Sequence, residues 1–170
     1  MSFSLNPPGI ILIIGLGALL LLLVSALRGK GNRTTRYVRL GIGAVAIGGL
    51  LIFAYRPSYI RVDSSGISSN SGGSISIPWN KVSEAAYLPS LADSPYRPTS
   101  KVAGVALGAY RIGTFRTAGK GDARVLSQTT GGALIVQADG KTYEFAPAEL
   151  QKMVAEVAKH RSVSGWSPAR

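Results

Sequence analysis

The chain has 170 residues and no cysteine, which excludes disulfides, thiolate metal sites and cysteine nucleophiles. Its 19 Lys and Arg against 8 Asp and Glu give a net charge of +11, a balance also found in nucleic-acid-binding proteins. The charge is uneven, however: residues 28–39 hold five cations, whereas residues 57–170 hold thirteen basic and eight acidic groups and are only mildly basic.

An uncharged apolar run occupies residues 9–27, GIILIIGLGALLLLLVSAL. As a helix it would rise roughly 28 Å, close to the hydrocarbon thickness of a bilayer. A buried helix of a soluble core is the alternative, but so short a chain offers little core around a helix that is apolar on all sides. A cleavable signal peptide is less favoured, because residues 2–8 carry no positive charge. The run predicts a retained membrane-spanning helix.

A second apolar run follows at residues 40–55 and ends at Arg56-Pro57. It is short for a span, but a helix over 38–55 gains a turn if Arg39 extends to the interface. Together the two runs predict a hairpin of two transmembrane helices within residues 1–56. A core helix is the alternative for the second run.

The loop between the runs, residues 28–39, contains no acid. Cations in a short loop beside spans indicate the cytoplasmic side, which would place residues 57–170 in the periplasm of a bacterium, anchored in the inner membrane. The same cations would attract anionic lipid headgroups, at about 1 kcal/mol each. These predicted topology and headgroup residues are Arg28, Lys30, Arg33, Arg36 and Arg39.

Small residues are concentrated in the second run. They let helix backbones approach closely and predict a helix-packing face, although glycine is also simply common in membrane helices. The predicted packing residues are Gly41, Gly43, Ala44, Gly48 and Gly49.

Short segments with strand character fill residues 57–146, and turn residues separate them. Asp139-Gly140 between two apolar runs is a strong hairpin signal. Residues 89–101 contain three prolines and predict a loop. The predicted strands cover 59–63, 67–69, 74–79, 82–88, 110–117, 123–128, 133–138 and 142–146.

The period changes in residues 147–161, where Leu150, Met153, Val154 and Val157 share one face of an amphipathic helix. The polar tail, residues 162–170, is predicted to be loose without a partner. Trp166 would then be an exposed aromatic residue available to a partner or to a membrane interface.

Residues 104–157 resemble a bacterial pleckstrin-homology-like (PH-like) domain. The similar features are Gly108-x-Tyr110-Arg111-x-Gly113-x-Phe115, the basic-glycine turn after it, the strand with Ala123-Arg124, and the helix after Pro147. The resemblance implies about seven strands in a bent antiparallel sheet or barrel, capped by the C-terminal helix. Such domains often follow a pair of membrane spans. Ala146 departs from the family, which tends to have Ser before the proline, and this would loosen the helix start by about 1 kcal/mol.

No arrangement of side chains typical of catalysis is found in the sequence. The single histidine, His160, lies at the end of the predicted helix, and the acids are scattered without an obvious pair. AGKGD at 118–122 could cradle a phosphate but is more typical of a hairpin turn. We therefore expect no enzyme activity, no cofactor and no metal.

The expected function is that of a non-catalytic accessory or scaffold subunit, anchored by the two spans, whose PH-like domain contacts other subunits of a membrane complex. Transport, respiratory and photosynthetic complexes all remain open. The expected partners are the lipid bilayer and other membrane-protein subunits, and not nucleic acid, because no aromatic platform alternates with the cations. A lipid- or ligand-sensing module is the alternative. The predicted partner or lipid surface comprises Arg111, Arg116, Lys120, Arg124 and Trp166.

Overall fold

The computed structural model describes residues 1–6, 9–28, 37–38, 41–45, 47–49 and 58–167. These residues contain ten strands, two α-helices whose bounds are described, and one 3-10 turn at Trp79–Lys81. The strands are β1 (Ser2–Leu5), β2 (Ser58–Asp63), β3 (Gly66–Ser69), β4 (Ile75–Pro78), β5 (Val82–Leu88), β6 (Pro98–Leu107), β7 (Tyr110–Thr117), β8 (Asp122–Ser127), β9 (Ala133–Ala138) and β10 (Lys141–Ala146). The helices are α1 (Ile10–Arg28) and α2 (Leu150–Ala158).

The chain divides into two compact units. One unit comprises Met1–Asn6 together with Pro57–Arg170, and the other comprises Pro7–Arg56. The first unit contains all ten described strands and α2. The second contains α1, and helical turns are also described at 37–38, 41–45 and 47–49.

The predicted two-helix transmembrane hairpin is wrong. Within the described residues, no helix combines the length and the apolarity that a bilayer crossing requires. The predicted inner-membrane localisation with a periplasmic domain is wrong with it. The second run is described as helix only in short pieces, and its remainder, like the loop residues 29–36 and 39, lies outside the described residues.

Two sheets and α2 enclose the main core. The smaller sheet has the order β1-β2-β3-β4, and the larger has the order β5-β9-β10-β8-β7-β6. The buried stripe of α2 packs into the same core, as its 3.6-residue period predicts. The mainly β architecture with a C-terminal helix is therefore confirmed. The largest fully buried apolar side chains include Phe3, Leu5, Ile60, Ile67, Leu126, Leu134, Phe145 and Met153.

The first strand was not predicted from the sequence. In β1, Phe3 and Leu5 are buried while Ser2 and Ser4 are exposed, so the strand has the two-residue period of a half-buried sheet. It pairs antiparallel with β2, with Leu5 opposite Ser58. The pairing joins residues more than fifty positions apart, which no local sequence pattern reveals.

One strand pair departs from the antiparallel sheet that the resemblance implied. Strand β10 pairs antiparallel with β9 but parallel with β8, and Glu144 lies opposite Val125 in that pair. Strands β9 and β8 flank β10 on its two sides. The chain runs in one direction along β8, in the opposite direction along β9, and back along β10, so β10 is parallel to β8. The β9–β10 turn itself was predicted correctly: Asp139 and Gly140 have φ of 50° and 70°, as a type I′ turn requires.

The interior strand β9 of the larger sheet has buried side chains on both faces. The inner face of the sheet contributes to the main core, while Ala133, Ile135 and Ala146 of the outer face form a second cluster. The loop after β5 covers this cluster with Leu91 and Tyr96. The Gln137 side-chain amide donates to the Tyr96 hydroxyl at 2.8 Å. This loop places polar groups of the outer face under protein rather than in water.

Candidate functional site

The outermost strand of the larger sheet, β6, has an unpaired edge in the part of the chain that the structure describes. It pairs with β7 on one side only, and nine of its ten residues are exposed. We call residues 98–107 the open edge. The exposed apolar side chains on it are Val102, Val105 and Leu107, at 53%, 44% and 38%. An edge strand of this length and composition presents free N–H and C=O groups beside apolar side chains.

Local glycine geometry shapes the open edge. Gly104 lies opposite Gly113 of β7, with φ of 120° and 141°. A Cβ added at either would come 2.1 Å from a carbonyl oxygen of the facing strand. The hairpin then closes through Gly108, whose φ of 60° suits the first central position of a type II′ turn. The strand's close approach to β7 therefore depends on glycine at both positions.

Regular pairing is confined to the second half of the open edge. The register shifts between Pro98 and Ser100 and again between Lys101 and Ala103, so the first half contains two irregularities. From Ala103 to Leu107 the pairing with β7 is continuous. Residues 102–107, VAGVAL, carry no charge. The unprotected part of the edge is thus a short, regular and apolar strand.

A cleft of about 210 Å³ lies near the start of β6. Glu144 of β10 lies in its wall, although only 2% of the residue is exposed. The Oε2 atom of Glu144 has no hydrogen-bond partner among the described residues. Burial raises the pKa of this carboxyl to about 7, and the charge of Arg111 partly offsets that rise. The residues lining the cleft are Ser90, Leu91, Ala92, Arg97, Pro98, Arg111, Ser127, Thr129, Thr130 and Glu144.

The predicted basic residues do not all face the same way. Arg111 lies opposite Ser127 of β8, whereas Arg116 lies opposite Asp122, an odd number of positions further along β7. Alternation places Arg111 on the face opposite to Arg116. Arg124, opposite Thr114, shares the face of Arg116. The register thus places Arg111 on one face of the sheet and Arg116 and Arg124 on the other.

All four of these cations also have local contacts. Arg116 Nε lies 3.3 Å from an Asp122 carboxylate oxygen, and Arg124 donates to the Gly72 carbonyl oxygen. The Lys120 ammonium lies 5.7 Å from the centre of the Tyr96 ring. Arg111 Nε donates to the Gly108 carbonyl oxygen at 3.3 Å. These contacts fix the side chains in position, and Arg111 is the one that also lines the cleft.

The tail was predicted to be loose, and its described part is docked. Ser164 forms a parallel bridge with Ala86: its N–H donates to the Ala85 carbonyl at 3.0 Å, and its carbonyl accepts from Tyr87 N–H at 2.8 Å. Trp166 is only partly exposed and packs against the main core. The prediction of a fully exposed Trp166 is wrong, because the bridge holds the preceding residues against β5.

The remaining predicted residues give no further site. His160 stacks on Trp79, with ring centres 5.0 Å apart. A Cβ added at Gly41, Gly48 or Gly49 meets no atom within 4 Å, so the helix-packing face stays a prediction. The side chains of Arg28, Lys30, Arg33, Arg36 and Arg39 lie outside the described residues. In the described ranges, no three His, Cys, Asp or Glu residues are placed to hold a metal.

Only weak signals in the amino-acid pattern point to the open edge and the cleft. Three prolines between residues 89 and 98 favoured a loop, and the alternation expected of a half-buried strand is missing from a strand exposed on both faces. Glu144 stands between Tyr143 and Phe145 in a short apolar strand, a position that placed it on the sheet but did not reveal the loop above it.

Comparison with known proteins identifies one relationship. The family model described as "Bacterial PH domain" matches residues 59–161. No curated protein and no solved structure gives a significant match. The matched range contains β2 to β10 and α2, which together hold the open edge and the cleft.

Proposed function

We propose, from the premise that this chain belongs to the bacterial PH domain family, that it is a non-catalytic protein-binding module. An extended segment of a different protein would add to the open edge as a further strand. Main-chain hydrogen bonds supply affinity in such strand addition, and pockets for alternate side chains supply specificity. The observation that carries the proposal is the exposed, uncharged and regularly paired second half of β6.

The charges near the open edge indicate the chemistry of the partner. Lys101 lies on β6 itself, and Arg97 and Arg111 flank its two ends. Arg116, on β7 opposite Ser100, is paired with Asp122. We therefore expect a partner segment with apolar residues and at least one acid, because complementary charges favour encounter and fix the register.

Self-association through the same edge is less well supported. Two copies paired edge to edge and antiparallel through residues 103–107 would leave Lys101 of each copy without an acid on the facing strand, because β6 contains none. A different protein with an acidic residue can supply that complementary charge.

Lipid headgroup recognition is the alternative function. It would need several cations to converge on one surface, whereas Arg111 lies on the opposite face of the sheet from Arg116 and Arg124. Arg116 is already paired with Asp122. The arrangement therefore favours the strand-binding function over a headgroup-binding patch.

A photo-crosslinking residue at position 105 of the full chain, expressed in its native cells, tests the proposal. We expect a crosslink to one protein other than this chain, at a segment containing an acid. The matched control places the same residue at Lys141, which is exposed on β10 away from the edge, and should not yield that product. Crosslinks only between copies of this chain, only to lipid, or equal at both positions would refute the proposed function.

A further inference from the structure

The cleft beside Glu144 has the features of a small-molecule site distinct from the regular half of the open edge, residues 103–107. A buried polar group normally has a hydrogen-bond partner, because leaving it unpaired costs its full desolvation penalty. Glu144 Oε2 has no such partner in the described part of the chain, although only 2% of the residue's surface is exposed to solvent. Such an exception calls for a physical explanation.

The neighbouring guanidinium groups do not supply the missing hydrogen-bond partner of Glu144 Oε2. Arg111 and Arg97 line the same cleft, and Arg111 is close enough to act on the Glu144 carboxyl electrostatically. Neither is ion-paired with Glu144 within the described residues; Arg111 Nε instead donates to the Gly108 carbonyl. Opposite charges therefore line one small cavity without closing on each other, and the space between them can hold a ligand that meets both.

The charge pattern restricts the ligand class. A bare cation would face two guanidinium groups, and a simple anion would face the Glu144 carboxylate while leaving Oε2 unpaired. A molecule with both an ammonium group and an anionic group can pair the ammonium with Glu144 and the anion with the two guanidinium groups. Hydrogen bonds between ionised donors and acceptors are stronger than those between neutral groups. Arginine in particular suits planar carboxylate and phosphate groups.

The hydroxyl group of Ser127 in the cleft lining is also compatible with binding of an ammonium group. Ser127 Oγ lies 2.8 Å from the Thr129 carbonyl oxygen and 3.1 Å from that of Ala109, so its proton is directed to the backbone. Its oxygen lone pairs remain able to accept from an ammonium group. The volume of about 210 Å³ is below the roughly 300–1,000 Å³ of pockets for drug-sized ligands, which indicates a compact molecule.

We propose that this cleft binds a compact zwitterion, with its ammonium group on Glu144 and its carboxylate or phosphate on Arg97 and Arg111. The chemistry has two sources, a free α-amino acid or a phosphoethanolamine-type group. The cleft shares Pro98 with the open edge, and Arg97 and Arg111 also flank that edge. The two functions have separate readouts, titration with small molecules for the cleft and crosslinking at position 105 for strand addition, so that failure of one can be told from failure of the other.

Isothermal titration of the full chain at pH 8 with L-alanine and with phosphoethanolamine, separately, tests the site. Acetate and methylamine, which each carry one of the two charges, serve as probe controls. We expect at least one zwitterion to bind, and at least about tenfold more tightly than either control. Binding of alanine alone would assign an amino acid, and binding of phosphoethanolamine alone would assign a phosphate-bearing ligand.

Variants then locate the binding. Glu144→Gln keeps the shape and removes the charge, and Arg111→Gln removes the facing cation; each should weaken binding at least about tenfold. Glu149→Gln is the matched control, because Glu149 is an exposed acid paired with Lys152 outside the cleft, and it should change binding less than about twofold. The proposal is overturned if neither zwitterion binds, if acetate or methylamine binds as tightly, or if Glu144→Gln has no more effect than Glu149→Gln.

Discussion

The two edges of the six-stranded sheet end in different ways. At the β5 edge, residues of the tail form a bridge through Ser164, and Arg161 donates to the Val82 carbonyl oxygen. Val163 and Trp166 add apolar contacts to the main core there. At the β6 edge, no described segment pairs with the strand. One edge is closed by the chain itself, and the other is left available.

This difference is informative because exposed sheet edges favour unwanted pairing. Natural proteins protect them with charges, proline, bulges or a covering segment. The open edge has all of the first three, but only in its first half, at Pro98, Lys101 and the two irregularities. Residues 103–107 have none, so the protection stops where a regular apolar strand begins. An edge protected in one half only is what a specific strand-binding site requires.

The largest predicted effect concerns Glu144, on the interior strand β10 between the two edges. Its folded-state pKa of about 7 exceeds its ordinary value of 4.5, so the folded state holds its proton more tightly than the unfolded state. The stabilisation is fully present below pH 4.5 and is lost as the pH rises through 7. Glu144→Gln mimics the protonated form. It should therefore raise the free energy of unfolding by about 3 kcal/mol above pH 7 and change it little below pH 4.5.

Chemical denaturation of both proteins between pH 4 and pH 8 measures this difference. Glu149→Gln, at an exposed site, should show no comparable growth with pH. If the difference in free energy of unfolding between Glu144→Gln and the parent protein stays constant over this pH range, burial does not raise the pKa of the Glu144 carboxyl. A bound zwitterion should reduce the difference, because it supplies the missing partner of the ionised carboxylate.

A smaller effect is expected at the closed side. Gly165 has φ of 72°, and a Cβ there would lie 2.5 Å from the Tyr87 carbonyl oxygen. Gly165→Ala should therefore displace the tail from β5 and lower the free energy of unfolding by about 2 kcal/mol, within the range for a strained left-handed residue. Denaturation measures the loss, and faster hydrogen exchange of the Tyr87 N–H, which is bonded to Ser164, shows where it occurs.

A second glycine provides the control for that experiment. Gly131 has open space around an added Cβ, so Gly131→Ala should change stability by less than about 0.5 kcal/mol. Equal losses for the two variants, or an unchanged exchange rate at Tyr87, would mean that the tail does not close the β5 edge.

The central strands could be predicted from the sequence because the local pattern of apolar residues indicates which segments are buried. Strand β7 was predicted at its observed bounds, and the apolar run Ala133–Val136 of β9 is buried throughout. The helix was predicted over 147–161 but is shorter, at Leu150–Ala158, and the side chain of its N-cap residue Glu149 makes no capping hydrogen bond. The turn signals and core periodicity, together with the family resemblance, were thus sufficient for the mainly β fold.

What the sequence could not provide depends on distant or outward contacts. Strand β1 exists through its pairing with β2, and the docking of Trp166 depends on the bridge between Ser164 and Ala86. The open edge lacks a buried face, so it has no period to detect. The spans were inferred from apolar runs alone, and no described helix has the length and apolarity of a span. Glu144 became notable only when the loop above it was placed.

The smallest effect on stability is expected for Val105→Lys in the open edge. Val105 is 44% exposed, and substitutions at such positions usually change the free energy of unfolding by less than about 0.5 kcal/mol. A new charge in the regular half of the edge should nevertheless block strand addition, as charges do on natural edges. Loss of the crosslinked partner, read from a crosslinking residue at position 107 of the same variant, measures that block. Val105→Thr keeps the β-branched shape without a charge and should retain the partner. A lysine variant that still captures the partner would mean that the open edge, although exposed, is not the surface that binds it.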